Sequence, residues 1–236
     1  MNDLLIIIPT YNEKETIEIL IKEIFSFMPQ ADILVIDDNS PDGTGNIIKD
    51  IAKSEPRVNV IIRPYKMGMG SAYKLGFRFA LCKTYNYIIQ MDADLSHSPR
   101  YLPRFLEAIK EADVVLGSRY ISGGSVQKWS ILRRLISRCG CIYARLILGI
   151  SIKDITGGFR CYHRQALESI NIDKIKSDGF AFQIECIYKV IKKSFYVKEI
   201  PFVFLDRERG KSKMNISIII EAIFIVWRLK FFKNEN

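Results

Sequence analysis

Short apolar runs alternate with amphipathic segments along the first part of the chain. Uninterrupted apolar runs of this length are typical of strands buried on both faces of a parallel sheet. Between the runs, apolar residues recur at helical spacing, as at Ile17, Leu20, Ile21 and Ile24. The predicted strands are residues 4–8, 33–36, 58–62 and 88–91, and the intervening helices begin near residues 17, 45 and 70.

This alternation predicts right-handed crossovers and a mostly parallel, doubly wound α/β sheet flanked by helices. In the second half of the chain, the pattern predicts a helix at 99–110, a strand at 113–117 and a strand at 197–204. A helix over residues 131–148 is amphipathic, with arginines on one face, and the tail at 216–232 is strongly apolar. Sheets of this class bind ligands beyond the carboxyl ends of their strands.

Acidic side chains follow three of the predicted strands. Glu13 follows the first strand, Asp37 and Asp38 end the second, and Asp92 and Asp94 follow the fourth. Side chains two apart on a strand point to the same side, so the last pair can converge on one point. Carboxylates suit Mg²⁺, which proteins hold with one or two carboxylates plus substrate phosphates. The pattern favours a metal–diphosphate site, although a solvated strand-to-loop corner also produces it.

A second candidate phosphate site is the Gly68-Met69-Gly70 turn at the start of a predicted helix. The turn lacks the complete glycine fingerprint of dinucleotide-binding proteins and the Gly-Lys-Ser/Thr of a P-loop. The sequence therefore argues against a redox dinucleotide cofactor and against ATPase chemistry. Close packing of the turn explains the two glycines as well as phosphate binding does.

Composition narrows the class of protein. The 236 residues carry a net charge of +9, which points to anionic partners such as phosphorylated substrates, lipid or nucleic acid. Five cysteines without a Cys-x-x-Cys pair make a disulfide framework unexpected, and two histidines exclude a multi-histidine metal site. No signal peptide and no uninterrupted apolar span near membrane thickness is visible. We therefore expect attachment to a membrane surface, if any, through the amphipathic segments.

The motifs, in chain order, are IIIPTYNE, VIDDNSPDGT, MGMGSAYKLGF, MDADLSHSP, GSRY, WSILRRLIS, DITGGFRCY, DGFAFQIE and DRERGKSK. In this order they resemble family 2 glycosyltransferases with the GT-A fold, and most closely the dolichyl-phosphate mannosyltransferases (polyprenyl-phosphate mannose synthases). The resemblance implies a GT-A domain over residues 1–214, and the apolar pattern of the tail predicts a C-terminal interfacial helix within 215–236. It implies transfer of mannose from GDP-mannose to dolichyl phosphate, with inversion of the anomeric carbon and with Mg²⁺ or Mn²⁺ as cofactor.

The resemblance also assigns roles to residues by their positions in these motifs. Asp94, Arg119 and Arg133 are the residues that we expect to carry catalysis. The implied guanosine contacts are Pro9, Tyr11, Glu13, Val35 and Asp37, and the implied metal and diphosphate site is Asp92, Ala93 and Asp94, with Asp92 and Asp94 as metal ligands. The implied donor-phosphate contacts are Arg119, Arg207 and Lys213. The implied acceptor-phosphate contacts are Arg119, Arg133 and Ser137.

The chain departs from the family pattern in two respects. Some members carry an amide at the position of Ser96, so a third protein ligand to the metal is in doubt. Other members have C-terminal transmembrane helices, which this sequence does not show. We therefore expect a peripheral protein on the cytoplasmic face of a membrane, with a small membrane-anchoring subunit as a candidate partner.

The expected chemistry needs no general base. A phosphate monoester has a second pKa near 6 and is an anion at neutral pH, so the acceptor is already nucleophilic. The sequence leaves three other activities open: transfer of glucose from UDP-glucose, or of another nucleotide sugar, to undecaprenyl phosphate or a different acceptor; non-catalytic nucleotide binding; and nucleic-acid binding, which only the net charge favours.

Overall fold

A computed structural model describes residues 3–175, 177–206 and 216–231. Strands and helices alternate along these residues. The strands are β1 (Leu4–Thr10), β2 (Asp32–Asp37), β3 (Val58–Ile62), β4 (Tyr87–Gln90), β5 (Val114–Ser118), β6 (Ser125–Gln127), β7 (Arg160–His163), β8 (Val197–Pro201) and β9 (Val203–Leu205). The helices are α1 (Ile17–Phe27), α2 (Thr44–Ser54), α3 (Met69–Leu81), α4 (Leu102–Ala108), α5 (Ile131–Leu148), α6 (Arg164–Ser169), α7 (Gly179–Lys192) and α8 (Ile216–Phe231).

The central sheet has seven strands within the described ranges, in the order β3-β2-β1-β4-β7-β5-β8. Only β7 runs antiparallel to its two neighbours among these strands, and the other pairings are parallel. Strands β6 and β9 form a separate parallel pair. The prediction of a mostly parallel, doubly wound α/β sheet is therefore confirmed.

Alternate residues of the buried strands enter two cores, one on each face of the sheet. In β1, Leu5 and Ile7 pack on the face that α3 and α7 cover, whereas Ile6 and Ile8 pack on the face that α1 and α4 cover. Because both faces are buried, the strand reads as a continuous apolar run. The carboxyl ends of β1, β2 and β4 consequently open at the same edge of the sheet, because these strands are parallel.

The second half of the chain departs from the predicted pattern. The predicted strand at 197–204 is two strands, because the chain leaves the central sheet at Phe202 and β9 pairs with β6 instead. The predicted helix at 99–110 consists of α4 flanked by short 3₁₀ turns. Strands β6 and β7 were not predicted.

Helices α5 and α8 lie side by side, and the Tyr143 hydroxyl donates to the Ile223 carbonyl at 3.4 Å. The Ser130 side chain caps the start of α5 by accepting a hydrogen bond from the backbone N–H of Arg133. Helix α5 ends at Gly149, whose φ of 69° lies in the left-handed region that favours glycine. In the part of the chain that the structure describes, no helix combines the length and the hydropathy needed to cross a bilayer.

Candidate active site

A cavity of about 570 Å³ opens at the edge of the sheet where β1 and β4 end. Its wall combines residues from the two halves of the chain, which lie far apart in the sequence. Most of the predicted site residues line it. They are Pro9, Tyr11 and Glu13 after β1; Asp92, Ala93 and Asp94 after β4; Arg119 after β5; and Arg133 and Ser137 on α5.

Two predicted donor-binding residues lie outside the cavity wall. Val35 is fully buried in the core, where its side chain packs with the apolar residues on one face of the sheet. The Asp37 carboxylate is also buried, and it accepts hydrogen bonds from the Thr10 hydroxyl at 2.8 Å and the Ser40 N–H at 2.9 Å. These bonds hold the ends of β1 and β2 together, and a donor-binding role for Val35 or Asp37 stays a prediction.

Asp38, rather than Asp37, reaches the cavity. Its carboxylate forms a buried ion pair with Arg63 and accepts the N–H groups of Met67 and Gly68, each at 3.1 Å. The glycine turn that precedes α3 is thereby tied to the end of β2. Gly68 has a φ of 90°, so this turn requires the glycine.

The loop after β4 presents Asp92 and Asp94. One Asp94 oxygen, Oδ1, accepts the N–H of Ser96 at 3.1 Å, which orients the carboxylate from within its own loop. The Asp92 backbone N–H donates to His97 Nδ1 at 3.0 Å. Leu95 adopts a φ of 62°, so the loop turns sharply between the second aspartate and His97.

His97 supports this loop and is held neutral. Its ring stacks on Phe159 with the centroids 4.9 Å apart, and burial lowers the pKa of His97 against the opposing charge of Asp92. Because Nδ1 accepts the Asp92 N–H, the ring proton is on Nε2. A buried imidazole whose Nδ1 lone pair already accepts a backbone N–H is suited to positioning the loop and unsuited to accepting a proton.

The carboxylate pair fits a divalent cation that is shared with a substrate phosphate. No group of three His, Cys, Asp or Glu side chains able to hold a metal occurs among residues 3–175, 177–206 and 216–231. Those residues therefore do not surround a metal ion with protein ligands alone. Asp92 and Asp94 instead provide the two carboxylates that Mg²⁺ typically takes together with phosphate and water. The Ser96 hydroxyl is buried and has no hydrogen-bond partner.

Arg119 is fixed by a buried carboxylate, Asp154. Arg119 Nε and Nη2 donate to the two Asp154 oxygens at 2.7 and 2.6 Å, and the Arg119 backbone N–H adds a third bond at 2.8 Å. Glu199 accepts the Asp154 N–H at 2.9 Å, and Thr156 accepts from Arg119 at 3.1 Å. Burial alone lowers the pKa of Arg119, but the Asp154 charge outweighs it and the pKa lies above its usual value. The predicted phosphate contact is therefore a preorganised, permanently charged group.

The loop that carries Asp154 is itself braced by the buried Arg160. The guanidinium donates to the carbonyl oxygens of Gly157, Gln183 and Ile155 at 2.7–2.8 Å. Five donors in a fixed fork match several carbonyls at once, which a lysine does not do. The DITGGFR segment, held by these bonds, forms part of the cavity wall at Thr156, Gly157 and Gly158.

Two of the predicted acceptor-phosphate residues, Arg133 and Ser137, reach the cavity from α5. Arg133 Nη1 donates to both carboxylate oxygens of Asp206 at 3.0 Å, and its guanidinium carbon lies 4.1 Å from the centre of the Trp129 ring. The Tyr120 hydroxyl donates to Ser137 Oγ at 2.7 Å. Because Ser137 accepts this bond, its own hydroxyl hydrogen is available to a ligand. The predicted contacts Arg207 and Lys213 lie outside the described residues.

The sequence profile described as "Glycosyl transferase family 2" matches residues 5–170, well over half of the chain. The chain belongs to glycosyl transferase family 2. Its motifs and its fold had both indicated this family, and it is accordingly a glycosyltransferase.

Two relatives of this family 2 glycosyltransferase are similar along nearly their whole length. The undecaprenyl-phosphate mannosyltransferase of Micrococcus luteus is 42% identical over 224 residues, covering 95% of this chain and 92% of the relative. The polyprenol monophosphomannose synthase of Mycolicibacterium smegmatis is 44% identical, covering 94% of this chain and 84% of the relative. The predicted similarity to polyprenyl-phosphate mannose synthases is confirmed.

Solved structures share the GT-A fold of this glycosyltransferase at low identity. Glucosyl-3-phosphoglycerate synthase from Mycobacterium tuberculosis, solved with Mn²⁺, UDP and glucosyl-3-phosphoglycerate, superposes with a TM-score of 0.68 at 15% identity, covering 96% of this chain and 79% of that one. A mannosyltransferase from Pyrobaculum calidifontis, solved with GDP-Man and Mn²⁺, gives a TM-score of 0.59 at 16% identity, covering 88% and 58%. These structures establish the fold alone.

Sequence reasoning missed four residues of the cavity region: Trp129, Asp154, His97 and Asp206. Asp154 lies in the DITGGFRCY motif, but its pairing with Arg119 joins residues 35 positions apart and has no local signal. Trp129 begins the WSILRRLIS motif, which marked the family without indicating what the indole does.

Proposed function

We propose that this glycosyltransferase transfers mannose from GDP-mannose to the phosphate of a polyprenyl phosphate, releasing GDP and inverting the anomeric carbon. The observation that carries the proposal is one cavity whose wall contains both an aspartate pair and the group Arg119, Arg133 and Ser137. The first group suits a metal-bound diphosphate, and the second suits a phosphate monoester. The names of the two relatives, an undecaprenyl-phosphate mannosyltransferase and a polyprenol monophosphomannose synthase, support mannose as the sugar and a polyprenyl phosphate as the acceptor.

The donor side is built to hold a leaving diphosphate. In this proposal Pro9, Tyr11 and Glu13 bind the guanosine, and Asp92 and Asp94 hold Mg²⁺ or Mn²⁺. Bound there, the ion supplies positive charge that stabilises the departing GDP. Tyr11 is stacked under the Lys66 ammonium at 4.2 Å, which fixes the ring at the mouth of the cavity. Arg119 adds a second fixed positive charge, and fixed charges of this kind stabilise a transition state without reorganising.

The acceptor side needs positive charge more than it needs a base. Two phosphorylated substrates repel each other, and Arg119 and Arg133 counter this repulsion on the acceptor side. The acceptor oxygen is already an anion, so its attack on the anomeric carbon transfers no proton to the protein. His97 is not placed to act as a general base, because its Nδ1 already accepts the Asp92 N–H and burial lowers its pKa.

Helices α5 and α8 offer a route for the lipid chain and a surface for the membrane. Ile136, Gly140 and Ala144 of α5 and Ile223 and Val226 of α8 line the cavity, so its wall is apolar on this side. The outer surface of the same helices is also apolar. Its most exposed side chains are Ile131, Leu132, Leu135, Leu146, Phe224 and Phe231.

This surface, the α5–α8 face, has exposed arginines beside it at Arg134 and Arg138. Apolar side chains next to basic ones bind the interface of an anionic membrane. We propose that the enzyme binds peripherally to the cytoplasmic face of a membrane, with the cavity turned toward the lipid headgroups. In this proposal, the α5–α8 face is also the surface to which a small membrane-anchoring subunit would bind.

The configuration of the product tests the proposed reaction. Incubation with α-linked GDP-mannose, polyprenyl phosphate and Mg²⁺ or Mn²⁺ is expected to give a β-linked mannosyl phosphate, distinguishable by the one-bond carbon–proton coupling of its anomeric centre. Removal of divalent ions with a chelator is expected to stop the reaction, and added Mg²⁺ or Mn²⁺ is expected to restore it. An α-linked product, or full turnover with chelator present, would contradict the proposal.

A further inference from the structure

Two N–H donors beside the cavity have no hydrogen-bond partner. They are Nε1 of Trp129 and Nε of Arg133, and both atoms are shielded from water. Only 8% of the Trp129 side-chain surface is exposed. Buried donors are almost always paired in native proteins, because an unpaired donor loses its bond to water without replacement. Two such donors in adjacent side chains indicate a ligand that accepts from both.

Two arginines lie against the Trp129 ring. The ring centre is 4.1 Å from the Arg133 guanidinium carbon and 5.5 Å from that of Arg119. The Phe204 ring packs against it edge-on, at a centroid distance of 5.2 Å. The stacked cations and this ring fix the orientation of the indole. Each arginine is ion-paired, Arg119 with Asp154 and Arg133 with Asp206, so an anion that accepts from the indole N–H meets two guanidinium groups already held in place beside it.

The pairing of Arg133 with Asp206 uses the guanidinium incompletely. Both Asp206 oxygens lie 3.0 Å from the same nitrogen, Nη1, and Nε has no partner. The stronger arrangement is a fork in which two nitrogens each meet a different oxygen. A carboxylate has two acceptor oxygens, whereas a phosphate monoester has three. Three oxygens are enough for Nη1, Nε and the Trp129 N–H together.

We propose that Trp129 Nε1–H and Arg133 Nε–H bind the phosphate of the acceptor lipid, and that this phosphate competes with the Asp206 carboxylate for Arg133. The inference rests on the proposed phosphate-monoester acceptor. It adds Trp129 as a phosphate ligand and gives Asp206 the role of an internal competitor. The ligand chemistry is that of a phosphate monoester, which a lipid headgroup and free phosphate share.

The two tryptophans of the chain allow a direct binding measurement. They are Trp129 in the cavity and Trp227 on α8, which does not line the cavity. In the Trp227→Phe variant, the emission reports Trp129 alone. We expect a saturable change in this emission with citronellyl phosphate, a water-soluble short-chain acceptor, and none with citronellol. Free inorganic phosphate distinguishes a headgroup site from a general anion site, and we expect it to bind at least about tenfold more weakly, since it lacks the lipid chain that the apolar wall holds.

An unchanged emission with citronellyl phosphate would overturn the inference, as would an equal response to citronellol. An equal affinity for inorganic phosphate would overturn the assignment to the lipid headgroup. Because the measurement requires no transfer, it is independent of the donor. Binding without transfer from GDP-mannose would refute the proposed function and leave the phosphate site intact, and transfer without a Trp129 response would do the reverse.

Steady-state kinetics give a second readout. Trp129→Phe keeps an aromatic ring against the arginines and removes the N–H. We expect the KM for citronellyl phosphate to rise about tenfold or more, as for the loss of a hydrogen bond to a charged group, and the KM for GDP-mannose to stay within about twofold. Trp227→Phe is the matched control and should leave both KM values unchanged. Equal rises in both KM values for Trp129→Phe, or no rise, would contradict the phosphate role.

The competition itself is tested by Asp206→Asn. This substitution removes the competing charge and nearly preserves the shape of the side chain. The Kd for citronellyl phosphate, measured by emission in the Trp227→Phe background, is expected to fall about threefold or more, in the range of a surface ion pair that no longer opposes binding. An unchanged or higher Kd would show that Asp206 does not compete with the acceptor.

Discussion

The Arg119–Asp154 pair is the most consequential buried interaction at the site, and Asp154→Asn tests it. The substitution keeps the shape of the side chain and removes its charge. Arg119 is exposed to 6% and Asp154 to 0%, so water cannot replace the lost partner. Removing one member of a buried pair costs about 3–5 kcal/mol, since the other charge is left uncompensated.

For a chain of this length, that loss corresponds to a fall in Tm of about 6–20 °C. Differential scanning calorimetry measures it, and urea unfolding at 25 °C checks the free energy of unfolding. A surface pair provides the matched control. Asp173 pairs with Arg78, and their side chains are 68% and 55% exposed, so Asp173→Asn should lower Tm by less than about 4 °C.

The double variant Arg119→Met with Asp154→Leu separates the pair from its surroundings. Apolar residues of similar volume need no compensating charge, so this variant should be more stable than Asp154→Asn. It should nevertheless be inactive, because the fixed positive charge at the cavity is lost. The reasoning would be refuted if Asp154→Asn were as stable as the wild type, or if the double variant retained full transfer activity.

Three further outcomes follow from other parts of the molecule. Asp94→Ala should abolish sugar transfer while leaving Tm within a few degrees of wild type, because the carboxylate faces the cavity; turnover at the wild-type rate would remove Asp94 from the metal site. Leu132→Ser with Phe224→Ser should reduce flotation with anionic liposomes, since each exposed side chain contributes about 1.5–3 kcal/mol when buried; unchanged flotation would exclude the α5–α8 face. Gly68→Ala should destabilise the fold, because its φ is 90° and a Cβ there would collide with the Asp178 carboxylate; calorimetry showing a Tm equal to wild type would contradict this.

The sequence predicted those parts of the fold that depend on local pattern. Apolar runs such as that of β1 are buried on both faces, and their character as strands follows from burial alone. Strand β7 escaped prediction because it has four residues, follows two glycines and includes the buried Arg160. Its place between β4 and β5 is set by pairing partners more than 40 residues away, which no local pattern encodes.

The residues of the candidate site also fall into those that the local sequence predicts and those that depend on tertiary packing. Asp92 and Asp94 were predictable because their spacing and the end of a strand bring them to one edge of the sheet. The ion pair that fixes Arg119 was not predictable, because its partner Asp154 lies 35 positions away in the sequence and is brought close only by the fold. Val35 matched its motif position, yet its side chain points into the core, because in a strand buried on both faces every side chain meets one core or the other. A match to a motif position identifies the residue, but it does not show whether the side chain or the backbone of that residue faces the ligand.

The central claim is tested most directly by a panel of donors and acceptors with the lipid product identified by mass spectrometry. GDP-mannose, GDP-glucose, UDP-glucose and UDP-galactose are each offered with dolichyl phosphate, undecaprenyl phosphate or the unphosphorylated polyprenol. We predict a hexosyl-phosphate lipid from GDP-mannose with either phosphorylated lipid, and no product from the free alcohol. Product formation from UDP-glucose alone, or transfer to the unphosphorylated polyprenol, would contradict the account.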